Sequence, residues 1–485
     1  MNKDIEQAIT KLRLNAERYA KAERYYNGQH DLAFATEKFQ NTFGTLFREF
    51  ALNLCPVICD AVKDKLRVVG FSVDAVSEPP ASVGGKNQSM GSTHTNGHNA
   101  VSAAASVPPA HAGGSDLIGA AARRIWQRGR LALRAGEVHK ESLICGDAYM
   151  LIWPNLRGEA VFYPNKAANI TICADEASPG SIGWAAKVWR TADKHIRLNI
   201  FYPDRIEKYV SRKEVEGSLP DADGFVEFGI RNAERGIRNG AASRHIPHSE
   251  IDIPHFIVPN PYGIVPVFHF ANNADLGTTG RSELEAAMPV QDGLNKSVLD
   301  MLVAMEFAAF RQRWAAGIDI EYDDDGKAKP PFQAGVEKIW LTENPQARFG
   351  DFEATELEQF LKVKDSFRVD MASVTGTPLH YFLQQTGTFP SGESLKKAET
   401  RFLAKVRDRQ EAFGQVWADA MAFALLIEGK GRGLRLITEW EDPAPMAERE
   451  FLENILLKKQ IGLPVEQALL EAGYGEADVK RMVNG

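Results

Sequence analysis

The sequence predicts an α+β chain of several domains, a strand-rich middle followed by long helices. Three observations carry this. Residues 117–275 hold five short runs rich in β-branched and aromatic residues, parted by turn residues. Residues 283–311 and 393–428 repeat apolar side chains at helical spacing for longer than an average globular helix. At 485 residues the chain exceeds what one compact core accommodates.

The elements follow in order. Residues 1–26 read as a charged amphipathic helix with Leu12, Leu14, Tyr19 and Tyr25 as its apolar stripe. Thr45 to Val69 reads as a second helix, kinked at Pro56. Ser77 to Ser115 contains no aromatic residue and only two charges, Glu78 and Lys86. Such a segment buries too little apolar surface to offset its ordering entropy, so a flexible insert is expected at 77–115, with His94, His98 and His111 as solvated linker residues. Asp116 is an N-cap candidate for the next helix. Strands are expected at 148–153, 159–163, 168–173, 184–189 and 196–202, a loop or weak hairpin at 215–248, and a turn into a strand at 260–270.

Ser282 and Glu285 then have the spacing of a capping box, opening a helix from 283 to 311 that Pro289 should kink. Arg313 to Phe352 is a compact insert with an acidic turn and a strand-like run at 336–341. A helix at 353–374 carries Leu357, Phe360, Leu361, Phe367 and Met371 on one face. A polar loop leads to the helix at 393–428, whose stripe includes Ala398, Phe402, Val406, Phe413, Trp417 and Phe423. A strand at 434–440 and short helices at 448–460 and 464–472 close the chain.

Composition narrows the function. The net charge is −7, which argues against a protein that grips nucleic acid over a broad basic surface. It leaves room for one that touches nucleic acid weakly or guides it. Four cysteines, with Cys55 and Cys59 on one helix face at a spacing unusual for zinc, read as buried thiols in a reducing compartment. The N-terminus lacks an apolar signal region, and Val416 to Ile427 is too short to span a bilayer, so no membrane association is expected.

Catalytic signatures are poor. Phosphate-loop, HExxH and GxSxG patterns do not occur. Gly429, Gly431 and Gly433 follow a helix and precede a strand, which suits a helix C-cap and not a phosphate cradle. Asp323, Asp324 and Asp325 fail an EF-hand alignment because Phe332 stands where a Glu is required. His195, His255, His269 and His380 have no sequence-local partner. No catalytic residue, cofactor or metal is therefore assigned.

The segments GRSELEAAMPVQDGLNKSVLDMLVAMEFAAFRQRWAAGI (280–318), VTGTPLHYFLQQTGTFPSGESLKKAE (374–399) and RQEAFGQVWADAM (409–421) resemble the SPP1-like phage portal family. AERYYNGQH (22–30), VVGFSVD (68–74), GDAYMLIWP (146–154) and KKQIGLPVEQALLEAGY (458–474) match it in the same order. The resemblance implies a wing, stem, clip and crown fold with long helices around a channel, in a homo-oligomeric ring. That ring is a dodecamer in the virion, at one capsid vertex, assembled in the host cytoplasm. Double-stranded DNA is packaged and ejected through it. Its implied partners are the terminase large subunit, head-completion or adaptor proteins, and the major capsid and scaffold proteins.

Carried onto this chain, 1–76 is a helical part of the wing and 116–280 its α+β part. Residues 281–311 and 353–375 match the stem, 312–352 the clip, 376–392 the tunnel loop, 393–445 the long helix with its return strand, and 446–485 the crown. The loop offers His380, Gln384, Gln385, Thr386, Thr388 and Phe389 as channel candidates, without Lys or Arg. Asp323, Asp324, Asp325 and Glu337 are the docking candidates of the clip. Lys396, Lys397 and Arg401 either face the channel or pair with Glu393 and Glu399, and pairing is favoured.

Two other readings compete. One is a nucleic-acid-modifying enzyme with its catalytic domain at 117–275. The other is a helical scaffold without a channel. The charge favours the conduit. Residues 319–358 hold 11 acids and 4 bases, so 4 − 11 = −7, the entire excess of the chain. Placed in the clip and the stem helix beside it, that charge would discourage DNA adhesion where DNA enters and offer an acidic surface to partners.

Overall fold

The computed structural model describes residues 3–31, 52–74, 113–178, 180–228, 256–274, 279–309, 313–318, 320, 322–327, 342, 344–351, 356–383, 392–444, 448–471, 479 and 481–483. The calls on 77–112, 229–248, 336–341, His255, Glu337 and residues 384–389 lie outside them.

Helix α1 (Lys3–Tyr26) serves two cores. Ile5, Ala8, Ile9 and Leu12 pack on a six-stranded sheet, and Tyr19, Ala22 and Tyr25 enter the main core. Leu14 is exposed instead, lying off that stripe. Helix α2 (Cys55–Lys63) is shorter than the run Thr45 to Val69. Pro56 sits in its first turn, where the missing N–H costs nothing, and so starts the helix without kinking it. Cys55 and Cys59 are fully buried, as expected, and burial pushes the Cys55 thiol up to about 12. The chain then turns into strand β1 (Val68–Val73), not more helix, because β1 pairs with β13 (Leu436–Trp440) from the far end of the sequence.

Helix α3 (Gly113–Arg128) begins before Asp116, which lies inside it and is not its cap. Helix α4 (Leu131–Cys145) leads into β2 (Asp147–Pro154), the middle strand of a sheet with order β10-β2-β3, where β3 is Ala160–Lys166 and β10 is Val267–Ala271. All eight residues of β2 are buried. Ala148, Met150 and Ile152 face the main core, while Tyr149, Leu151 and Trp153 face a second core between the two sheets. That is the period-two alternation of a strand covered on both sides.

The second sheet runs β4 (Ile170–Ala174), β5 (Ile182–Arg190), β6 (Ile196–Phe201), β7 (Arg205–Ser211) and β8 (Phe225–Glu227). Strand β9 (Ile257–Pro259) shares the outer edge of β7 with β8. The expected strands thus appear, joined by β1, β7, β8 and β9. Those four take their partners from distant chain or are too short to show periodicity.

Long helices follow. Helix α5 (Met288–Ala309) starts later than the capping box suggests. The Ser282 hydroxyl does accept the Leu284 N–H at 3.0 Å, but it caps a turn. Pro289 then occupies the first turn of the helix and leaves it unkinked. Strands β11 (Arg313–Ala316) and β12 (Arg348–Asp351) pair antiparallel, and α6 (Leu357–Thr375) returns. Helix α7 (Gly392–Ile427) runs 36 residues, roughly 54 Å, close to the expected span. Phe402, Val406, Phe413, Trp417 and Phe423 are buried in the main core, whereas Ala398 is exposed near the free end. Gly429, with φ +67°, ends α7 in a Schellman motif, with Lys430 N–H on Leu425 O and Gly429 N–H on Leu426 O, as the glycine spacing implied. Helices α8 (Glu448–Gln460) and α9 (Val465–Glu471) complete the described chain.

Candidate functional site

The candidate working part is a pair of long helices held on an α+β body, with the segment between them and the loop behind them. Strands β11 and β12 tie one end, through pairs such as Arg313 with Asp351. At the other end Phe367 of α6 lies over Gly293 of α5, where a Cβ would come within 2.8 Å of the ring. The helices therefore run antiparallel as a hairpin shaft, in contact because Gly293 leaves space for an aromatic ring.

The root of the shaft is a polar junction. Two of the resembling segments, GDAYMLIWP and GRSELE, meet there. Asp147 is fully buried and accepts four hydrogen bonds: from Arg18 at 2.7 Å, Tyr19 OH at 2.8 Å, His269 Nε2 at 2.8 Å and the Gly280 N–H at 2.8 Å. Burial alone would raise its carboxyl. The hydrogen bonds and charge of His269, with those of Gly280 and Tyr19, outweigh burial and hold it below the ordinary value. Gly280 fits only as glycine, since its Cβ would fall 1.9 Å from the Gly146 carbonyl oxygen.

One step along, Glu283 sits between Lys405 at 2.6 Å and Arg409 at 3.0 Å, one turn apart on α7. Its burial would raise the carboxyl, but the two cations hold it low. The N–H of Glu283 also donates to Leu143 O at 2.9 Å. The start of the shaft is thus bolted to α4, β2, β10 and α7 at once.

His269, expected to lack a partner, finds Asp147 far away in sequence and stacks on Tyr149 with ring centroids 4.7 Å apart. His195 likewise faces the Ser211 hydroxyl at 3.2 Å. Local spacing could not show either pair. The acceptors of Asp147 are saturated by structural donors, which makes this an anchor and gives it no reactive role.

The loop begins after α6. Gly376, with φ +66°, ends that helix, and Lys405 Nζ donates to Thr375 O at 2.9 Å while Arg401 lies 3.5 Å from Ser373 O. Both cations meet the negative end of the helix dipole. Arg401 therefore binds α6 and not Glu399. Glu399 instead lies 3.4 Å from His380, whose ring leans on Tyr381. Tyr381 in turn packs edge-on against Phe402 of α7.

In the clip candidate, Asp323 is not a free acid. Its carboxylate accepts the N–H of Asp325 at 3.1 Å and of Lys327 at 2.7 Å, closing a turn that Gly326 completes with φ +75°. Asp324 and Asp325 are exposed on that turn. Glu23, Glu141 and Cys145 form the one cluster among the described residues with metal-like spacing. Lys166 already pairs with Glu23, and Glu141 accepts the Ala167 N–H at 3.0 Å, which accounts for both carboxylates. Among the described residues no helix is long and apolar enough to cross a membrane.

A helical shaft with a paired tip, hung from a two-sheet body, defines a structural subunit. The sequence pattern of the family described as phage portal protein, SPP1 Gp6-like, matches residues 113–482. The chain belongs to that family.

The portal protein of Mycobacterium phage L5 is 27% identical over 228 residues, covering 45% of this chain and 47% of the relative. That of Mycobacterium phage D29 matches to the same extent. The chain spans about half the length of these curated relatives. Among solved structures, a chain from the virion of a native gene transfer agent particle has a TM-score of 0.38 at 11% identity, covering 75% of this chain and 83% of that one. A chain from the neck of the native particle, described with C12 symmetry, also has a TM-score of 0.38, at 12% identity, with 71% and 80% covered.

Proposed function

We propose that this chain is the subunit of a phage portal, the head–tail connector. Twelve copies form a ring at one capsid vertex of the virion, through which double-stranded DNA is packaged and later ejected. The observation that carries the reading is the family match over residues 113–482, which spans the body, the shaft, the loop and α7 without a break. Helices α5 and α6 are the stem, residues 312–352 the clip, 376–392 the tunnel loop and 446–485 the crown. The subunit works as a conduit and docking platform, not by catalysis. A conduit must avoid gripping its cargo, because each phosphate contact adds affinity. A loop without Lys or Arg and an acidic clip both suit that requirement.

The surface supports assembly. Leu361, Val363, Val369 and Val374 on α6 are exposed, as are Leu452, Leu456, Leu457 and Ile461 at α8. Apolar rows of this kind call for neighbours. The clip would meet the terminase large subunit and later the adaptor proteins, with capsid and scaffold proteins around the wing. Negative-stain microscopy of the purified protein, with and without scaffold protein, tests the reading. Closed rings are expected, and monomers under every condition would overturn it.

A further inference from the structure

Strand β10 is an edge strand whose outer side is open. The bonds from Ile152 N–H to Pro266 O and from Asn272 N–H to Gly146 O set its register with β2. In that register Pro266, Phe268, Phe270 and Asn272 use their backbone groups toward β2, as alternate residues of an antiparallel pair do. The N–H and C=O groups of Val267, His269 and Ala271 point the other way. Among the described residues they have no partner. They open on a cleft of about 830 Å³, lined by Val416, Phe423 and Leu426 of α7 on one side and Ile172 and Ile182 of β4 and β5 on the other. Free backbone groups along an apolar slot make a seat for one more strand.

The chain itself supplies a candidate at the rim. Asp74 donates its N–H to Arg435 O at 3.0 Å, one residue from Leu434, which lines the cleft. The described chain breaks off there and resumes at Gly113. Within the intervening stretch, Ala100 to Val107 reads AVSAAASV, with no charge. Val101, Ala103, Ala105 and Val107 alternate with Ala100, Ser102, Ala104 and Ser106, the period of a half-buried strand with side chains small enough for a narrow slot. Pro108 and Pro109 follow and would end it. The 26 residues from Asp74 to Ala100 reach at most about 90 Å when extended, ample for a cleft at their point of departure. We propose that residues 100–107 add in cis as a strand on the free edge of β10 and fill this cleft.

Hydrogen exchange tests it on the full chain. Amides in 265–274 should exchange at least tenfold faster once residues 99–109 are deleted, with the circular dichroism spectrum unchanged, and a synthetic peptide of 99–109 should restore protection. Exchange that is fast in the full chain, or equally slow after deletion, would overturn the site. Cysteine pairs fix the donor: Ala271→Cys combined with Ala103→Cys or Ala105→Cys should oxidise to a disulfide within one chain. Disulfide-linked dimers would overturn the cis assignment and name a neighbouring copy as the donor.

Discussion

Arg409 Nη2 donates to Glu283 Oε1 at 3.0 Å, with the two side chains only 6% and 8% exposed. This pair joins the root of the shaft to the middle of α7, and Lys405 completes it from one turn away. Removing the acid alone would strand two buried cations. Glu283→Ala should cost about 3–5 kcal/mol in urea unfolding. The triple change Glu283→Leu, Lys405→Met and Arg409→Met should recover most of that, because no charge is then left buried. The folded-state carboxyl is held low, so its stabilisation is complete above the ordinary carboxylate range and lost as pH falls through the lower folded value. Glu283→Gln should accordingly flatten the acid limb of the stability profile.

Asp292 behaves in the opposite sense. Burial and the nearby charge of Asp31 push its carboxyl up to about 6, despite hydrogen bonds from Tyr25 at 2.8 and 2.9 Å. A raised folded value means stability is gained as pH falls through 6 and forfeited above it. Asp292→Asn retains an acceptor for Tyr25 without the charge. At pH 8 it should be more stable by about 1–2 kcal/mol, with the gain vanishing near pH 4. Thermal melts across that range measure it, and a variant less stable at pH 8 would contradict the assignment.

The contact of Gly293 with Phe367 sets how closely α5 and α6 approach. Gly293→Leu has no room beside a ring carbon 2.8 Å from where its Cβ would sit. A cost of about 1–3 kcal/mol is expected. Phe367→Ala in the same chain should return part of it, a coupling that a double-mutant cycle resolves.

The helices were legible because each carries a strong period: the span of α7 is off by a single residue at each end, and β2 through β6 appear where β-branched runs stand. What was illegible shares one cause, dependence on distant chain. Strand β1 looked helical because its partner, β13, lies more than 350 residues away. The starts of α2 and α5 were misplaced because proline reads as a kink when it is in fact the first turn. At the site, the loop's position between α6 and α7 followed from order alone. The anchors Asp147, Glu283, Lys405 and Arg409 carried no local signal, since each is defined by a partner that only the fold supplies.

Residues 383–389 lie where the chain passes from α6 to α7, and neither flanking anchor depends on them. Gly376 is covered by Arg401, and Tyr381 is seated on Phe402. Deleting 383–389 should therefore leave folding and ring formation intact while lowering packaged DNA per particle. Loss of rings would show that the segment builds the subunit interface and does not touch the cargo.

The acidic turn separates structure from docking residue by residue. Asp323 holds the turn through two backbone N–H groups, whereas Asp324 and Asp325 are exposed. Exposed charges set association rate and partner choice more than fold. Asp324→Lys with Asp325→Lys should leave the melting temperature and ring yield unchanged. It should weaken binding of the terminase large subunit about tenfold at low salt, with the difference shrinking as salt screens it. Asp323→Ala should do the reverse and loosen the turn first, seen as faster amide exchange at Asp325 and Lys327. Binding that is indifferent to the double charge reversal would remove these two residues from the docking surface and move the search to the other acids of residues 319–358.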